Sequence, residues 1–238
     1  MTEVQPLVKV SGLRQYIRDR LVLDGVSFEV FPGDLFVLYG PSGGGKTVLI
    51  SVLAGIQAHS AGRVETCGRG ETGLVTQEES LFPDFTAGEN LQAAGLIRGM
   101  DGRSLRRRME ELAAELRLGG VWRDRVRRLP WGPRRRLALA CALVAAPRLL
   151  LVDDILFRGD PESSRMITDT VRSYVAAGNA CVWATGRRDE AAALAGGGAR
   201  VALLDGGRLT VCDDPGEFLW ATGEEGGRPG PEGPEVGR

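Results

Sequence analysis

Apolar and polar positions alternate with a period of two over much of the first forty residues. "LVKVSGL" (7–13) and "LVLDGVSFEV" (21–30) therefore read as strands, as does the short apolar run in "DLFVLYG" (34–40), with Pro32-Gly33-Asp34 as the tight turn between the last two. After Gly40 the period lengthens. "KTVLISVLAG" (46–55) has helical spacing, with Gly55 as its stop. "AGRVETCGRGETGLVTQ" (61–77) predicts two short strands around a glycine-rich turn, and 85–147 reads mainly as helix, most clearly in "SLRRRMEELAAELRL" (104–118). Apolar strands then alternate with helices: "RLLLVDD" (148–154), "SSRMITDTVRSYVAAG" (163–178), "ACVWATG" (180–186), "DEAAALA" (189–195) and "ARVALLDGGRL" (199–209). That alternation predicts an α/β chain whose parallel sheet is covered on both faces. Residues 222–238, "TGEEGGRPGPEGPEVGR", carry too much Gly, Pro and Glu to bury anything and are expected to be a disordered tail. No internal repeat is visible.

Composition narrows the class of protein. A chain of 238 residues with 43% hydrophobic content can build a large core, and its net charge of -1 gives no basic excess to attract nucleic acid. Cys67, Cys141, Cys181 and Cys212 are widely spaced, which suggests reduced thiols rather than a zinc site or disulfide framework. "MTEVQPLVKV" lacks the basic-then-apolar pattern of a signal peptide, and the longest apolar run, Leu137 to Ala146, falls short of the roughly 18–20 residues that span a bilayer. The expected location is cytoplasmic, with any membrane role exercised through a partner.

Positive charge is almost all arginine. Lys9 and Lys46 are the only lysines, and Lys46 lies in "LYGPSGGGKT" (38–47). Gly40, Pro41, Ser42, Gly43, Gly44, Gly45, Lys46 and Thr47 fit G-x-x-x-x-G-K-[ST], the P-loop or Walker A motif, with a strand before it and a helix after it. Glycines there let successive backbone N–H groups turn inward on phosphate oxygens, and the helix dipole adds to that field. Lys46 would bridge the β- and γ-phosphates, and the Thr47 hydroxyl would bind Mg²⁺.

From Leu7 to about Leu219 the chain resembles the nucleotide-binding subunit of ABC transporters. Tyr16 in "LRQYIRD" stands where that family places an aromatic that stacks on adenine; the alternative is an ordinary strand-edge tyrosine. Gln77 in "LVTQEESLFPDFTAGENL" matches the Q-loop glutamine that reaches Mg²⁺ and the attacking water. "LLLVDD" matches the Walker B strand that delivers Asp153 to the metal, and Asp160 in "FRGDPESS" falls at the D-loop aspartate. The resemblance implies a P-loop core with a small antiparallel β-lobe and an inserted helical lobe at roughly 85–147, all within a domain at 1–221. It also implies ATP and Mg²⁺ as cofactors, membrane permease subunits as partners, and a second ABC ATPase subunit that closes head to tail over two ATP molecules. The wording of "LFPDFTAGENL" and "GDPESS" is similar to ATPases of the lipoprotein-releasing and macrolide-exporter type.

Three positions depart from the family. The signature L-S-G-G-Q is replaced by Leu129-Pro130-Trp131-Gly132-Pro133, in which Pro130 offers neither hydroxyl nor N–H and Trp131 crowds a position that needs glycine. Arg134 and Arg135 after it read as a solvated basic helix face, the alternative being a substitute charge source. The carboxylate after Asp153, normally the glutamate that polarises water, is Asp154, with about 1.5 Å less reach. The switch histidine is replaced by Gly186 beside Arg187, and the only histidine, His59, lies in the loop after the P-loop helix and reads as a solvent-facing residue. Asp154 and Gly186 would weaken the site on this subunit's own P-loop; the signature would weaken the opposite site. The expected function is an ATP-binding transporter subunit with weak or negligible hydrolysis. The alternatives are a fully hydrolysing ABC ATPase acting as a homodimer, and a soluble ABC-like protein acting on nucleic acid or ribosomes.

Overall fold

The computed structural model describes residues 4–77, 80–156 and 160–212; the 222–238 tail lies outside them. Strands β1 (Val8–Ile17), β2 (Arg20–Val30) and β4 (Ala61–Thr66) form an antiparallel sheet in the order β2-β1-β4. β3 (Leu35–Tyr39), β5 (Thr72–Val75), β6 (Leu149–Asp153), β7 (Ala180–Thr185), β8 (Arg200–Asp205) and β9 (Arg208–Cys212) form the second sheet, ordered β5-β6-β7-β3-β8-β9. All its pairings are parallel except β8 with β9. The glycine-rich turn at 68–71 therefore separates strands of two different sheets.

The core strands β3, β6 and β7 are apolar through almost their whole length because both faces are covered. Phe36, Leu38, Leu149, Leu151, Val182 and Ala184 pack toward helix α1 (Lys46–Leu53) and the antiparallel sheet. Val37, Leu150, Val152, Cys181 and Trp183 face the other way, toward α4 (Trp131–Leu143), α5 (Pro161–Ala176) and α6 (Arg188–Ala195). One face is thus covered by one helix and a β-lobe, the other by helices.

Helices α2 (Ala87–Ile97) and α3 (Gly102–Glu115) stand with α4 in the segment that the periodicity marked as helical. Leu105 and Leu112 of α3, with Leu116 just beyond it, are buried at helical spacing. A capping box fixes the start of α2, Glu89 N–H donating to the Thr86 hydroxyl and Thr86 N–H to the Glu89 carboxylate. Among the described residues no helix is long and apolar enough to cross a membrane.

Candidate functional site

Parallel strands β5, β6, β7 and β3 are neighbours, so their carboxyl ends deliver four segments to one edge of the sheet. β3 leads into the glycine-rich loop, β6 ends on Asp153, β7 leads to Gly186, and β5 leads to Gln77. A cavity of about 410 Å³ opens there, lined by Ser42, Gly43, Gly45, Lys46, Thr47, Gln77, Asp154, Gly186 and Arg187, with Val22 and Val48.

The loop needs its glycines for two physical reasons. A Cβ on Gly40 would stand 2.1 Å from the Leu204 carbonyl oxygen, so only glycine lets the loop leave β3 against β8. Gly45 has φ of 100° and caps α1 with no side-chain hydrogen bond, so no side chain competes for the first-turn N–H groups beside the cavity. Lys46 is 6% exposed, and its Nζ donates to the carbonyls of Gly40 (2.8 Å) and Pro41 (3.0 Å). The ammonium is held in the curl of the loop. Gly40, Pro41 and Gly44 build that curl from behind rather than lining the cavity.

Asp153 is 2% exposed and lies behind Thr47. Burial pushes its carboxyl above the usual carboxylate range, opposed by a hydrogen bond with the Thr47 side chain and by Lys46, and reinforced by the nearby Asp154. Among the described residues its Oδ1 has no hydrogen-bond partner. A hydroxyl and an orphaned carboxylate oxygen, both hard donors, fit a Mg²⁺ ion.

Asp154 takes a left-handed backbone, φ 48°, and its Oδ1 accepts the Gly186 N–H at 3.0 Å. The backbone amide of Gly186, the residue read from the sequence at the switch position, therefore holds this carboxylate. A Cβ on Gly186 would meet only Lys46 Nζ at 3.6 Å and the Gly40 oxygen at 3.7 Å, so there is room for a side chain. Arg187 reaches the cavity wall while paired with Asp189 and, at 3.5 Å, with the Leu156 carbonyl. Tyr16 is 49% exposed on β1 and does not line the cavity; it pairs with Leu21, the neighbour of the lining residue Val22. His59 is exposed.

The ABC transporter family profile matches residues 23–156. The chain belongs to the ABC transporter family. The Nod factor export ATP-binding protein I of Ralstonia nicotianae is 34% identical over 224 residues, 90% of this chain and 69% of that protein. The daunorubicin resistance ATP-binding protein DrrA3 of Streptomyces coeruleorubidus is 31% identical over 226 residues, 91% and 71% of the two chains. These relatives are named for export and drug resistance rather than for lipoprotein release or macrolide export. A solved ATP-binding subunit of an ABC transporter superposes with TM-score 0.78 at 21% identity, covering 87% of this chain and 90% of that one. A dimeric post-hydrolysis ATP-binding cassette, bound to ADP and phosphate, gives 0.76 at 22%, covering 85% and 96%. The fold is that of ABC nucleotide-binding subunits.

In this ABC subunit residues 129–133, read from the sequence as the signature turn, open α4. Pro130 caps the helix with no side-chain hydrogen bond, and of residues 130–133 only Trp131 and Gly132 carry a backbone N–H. The reading of Arg134 and Arg135 as a solvated face is corrected here. Arg135 is 6% exposed and bonds the carbonyls of Thr76 (3.1 Å) and Gln77 (2.6 Å). Arg134 reaches the Val126 and Leu129 carbonyls, and Arg136 those of Leu116 and Arg117. Loop carbonyls on both sides of α4, those of Thr76 and Gln77 beyond β5 and those of residues 116–129 within the helical segment, take up these guanidinium groups. A signal was present in the sequence, three adjacent arginines on one short helix, but periodicity does not say which of their faces meets carbonyls.

Proposed function

We propose that this chain is an ATP-binding subunit of an ABC transporter that binds Mg-ATP and couples nucleotide-dependent closure with a second ATPase subunit to a membrane permease, while hydrolysing ATP weakly or negligibly. The observation that carries this reading is one cavity with two unequal halves. Its phosphate-binding half is complete in the P-loop, Lys46 and Thr47. Its water-activating half is Asp154, shortened and bonded to the Gly186 amide.

The proposed binding follows from charge and geometry. Inward N–H groups, the α1 dipole and the buried Lys46 ammonium would hold the phosphates. Thr47 and Asp153 would hold Mg²⁺, with Gln77 at the cavity wall; the ion when bound neutralises charge on the phosphate oxygens. Tyr16 offers an exposed ring, one residue pair away from Val22, for the adenine. Water activation is the weak element. A general base must reach the proton it takes, and misplacement by about 1 Å can cost about a hundredfold. Asp154 is both short and committed to the Gly186 N–H.

The relatives named as export and resistance ATP-binding proteins support the transporter context, and membrane attachment would come through the permease. The hydrolysing-homodimer alternative gains one observation, that Arg187 stands at the cavity wall where it could supply charge. A restoration experiment separates the two. The double variant Asp154→Glu, Gly186→His is expected to raise Lys46-dependent ATP turnover by about tenfold or more over the parent. A parent with substantial Lys46-dependent turnover that the double variant does not raise would overturn the weak-hydrolysis reading.

A further inference from the structure

Arg135 joins two segments that the cavity uses separately. It lies four residues after Trp131 on α4, so the two side chains share a helix face, and its guanidinium stands 5.4 Å from the centre of the Trp131 ring. From beneath that ring its fork reaches two successive carbonyls, those of Thr76 and Gln77. A planar guanidinium suits this two-point grip, and charge assistance strengthens both bonds. Gln77 itself has an exposed side chain that lines the cavity beside Lys46, Thr47 and Asp154. The backbone that sets where Gln77 points is therefore tied to the first turns of α4.

We propose that Arg135, covered by Trp131, is a positioning residue that clasps the Thr76 and Gln77 carbonyls and so fixes the Gln77 side chain at the nucleotide cavity relative to the signature turn. The turn that is poorly built to touch a partner's nucleotide is used inward, within its own chain. Trp131 then has a physical reason: its ring roofs a guanidinium that would otherwise be hydrated and would release the two carbonyls. A change at the cavity felt by Gln77 is transmitted to α4, and a displacement of α4 is transmitted to Gln77. The inference rests on the reading that the cavity binds ATP.

A double-mutant cycle on the full chain tests it. ATP binding is measured for the parent, Arg135→Met, Gln77→Ala and the pair, with amide exchange of 74–77 followed without nucleotide. Each single variant is expected to weaken ATP binding about five-fold, the pair no more than either alone, and Arg135→Met to speed exchange at 74–77. A purely structural arginine gives additive losses, which would overturn the proposal; so would an unchanged affinity in Gln77→Ala beside a loss in Arg135→Met. If Arg135→Met does not fold, Arg135→Lys and Trp131→Leu carry the same cycle, each expected to give a partial loss that Gln77→Ala masks. A parent that binds no ATP would overturn the nucleotide reading instead, and unchanged exchange in Arg135→Met would still overturn the clasp.

Discussion

Two turns in this molecule lead into helices, and only one is built to receive an anion. At the P-loop, seven of the eight residues 40–47 keep a backbone N–H, the helix cap is a glycine with positive φ, and a buried lysine waits in the curl. At the turn read as the signature, two of the four residues 130–133 are prolines, Trp131 puts an indole against Arg135 at the start of the helix, and the chain's own Asp160 stands against Gly132. Asp160 Oδ2 and Ser163 Oγ lie 2.1 and 2.3 Å from where a Gly132 Cβ would be. Both helices form. The difference teaches that helix stability and anion recognition are separable: proline is acceptable in a first helical turn, where N–H groups are unpaired anyway, but it removes the donors a phosphate needs.

The comparison breaks hardest at lysine. Lys46→Ala is expected to lower ATP affinity by about a hundredfold or more with little change in melting temperature, measured by titration and thermal unfolding. Glycine substitutions sharpen it. Gly40→Ala drives a Cβ into the Leu204 backbone carbonyl, which cannot rotate away, and should cost about 2–3 kcal/mol of stability together with ATP binding. Gly132→Ala meets only side chains. It should cost about 1 kcal/mol, through disturbance of the Asp160 cap that accepts the Ser163 N–H at 2.7 Å, and should leave the chain's own ATP affinity intact. Denaturant unfolding and ATP titration of the two variants read both arms.

Smaller effects test the signature side alone. Pro130→Ser restores a capping hydroxyl and an N–H to α4, and is expected to stabilise the chain by about 1 kcal/mol without changing ATP affinity. The least effect is expected at Glu190, whose carboxyl burial pushes above the ordinary glutamate range, against the hydrogen bonds from Trp183 Nε1 (2.7 Å) and Thr185 and the Arg187 charge, with Asp154 adding to the rise. A raised folded-state pKa contributes stability that is present at low pH and lost as pH climbs through that value. Glu190→Gln keeps an oxygen for Trp183, so its melting temperature should gain on the parent by about 2 °C as pH rises from 4 to 8. A gap that narrows with rising pH would contradict this.

Most of the fold was legible because its signals are local. Alternation marked β1 and β2, apolar runs between helical segments marked the strands of the parallel sheet, leucine spacing marked α3, and the P-loop motif pointed to the cavity. The order β5-β6-β7-β3 was not legible, because strand order in a parallel sheet depends on long-range packing rather than on local pattern. The candidate site split the same way. Lys46 and Thr47 follow from motif spacing and Asp153 from the family resemblance, whereas the Gly186 amide holding Asp154 is a backbone contact across 32 residues that no residue type announces. Arg135 was misread for a related reason. A charged side chain in a helix reads as solvated until the facing element is known, and here that element presents the carbonyls of Thr76 and Gln77 to Arg135.

The most direct measurement is ATP binding and Mg-dependent ATP hydrolysis by the purified chain, with Lys46→Ala measured alongside. Binding that requires Lys46, with turnover no greater than the Lys46→Ala control, is the expected result. Lys46-dependent turnover on the order of 1 s⁻¹ or faster would contradict the account, since Asp154 and Gly186 would then be a working catalytic pair.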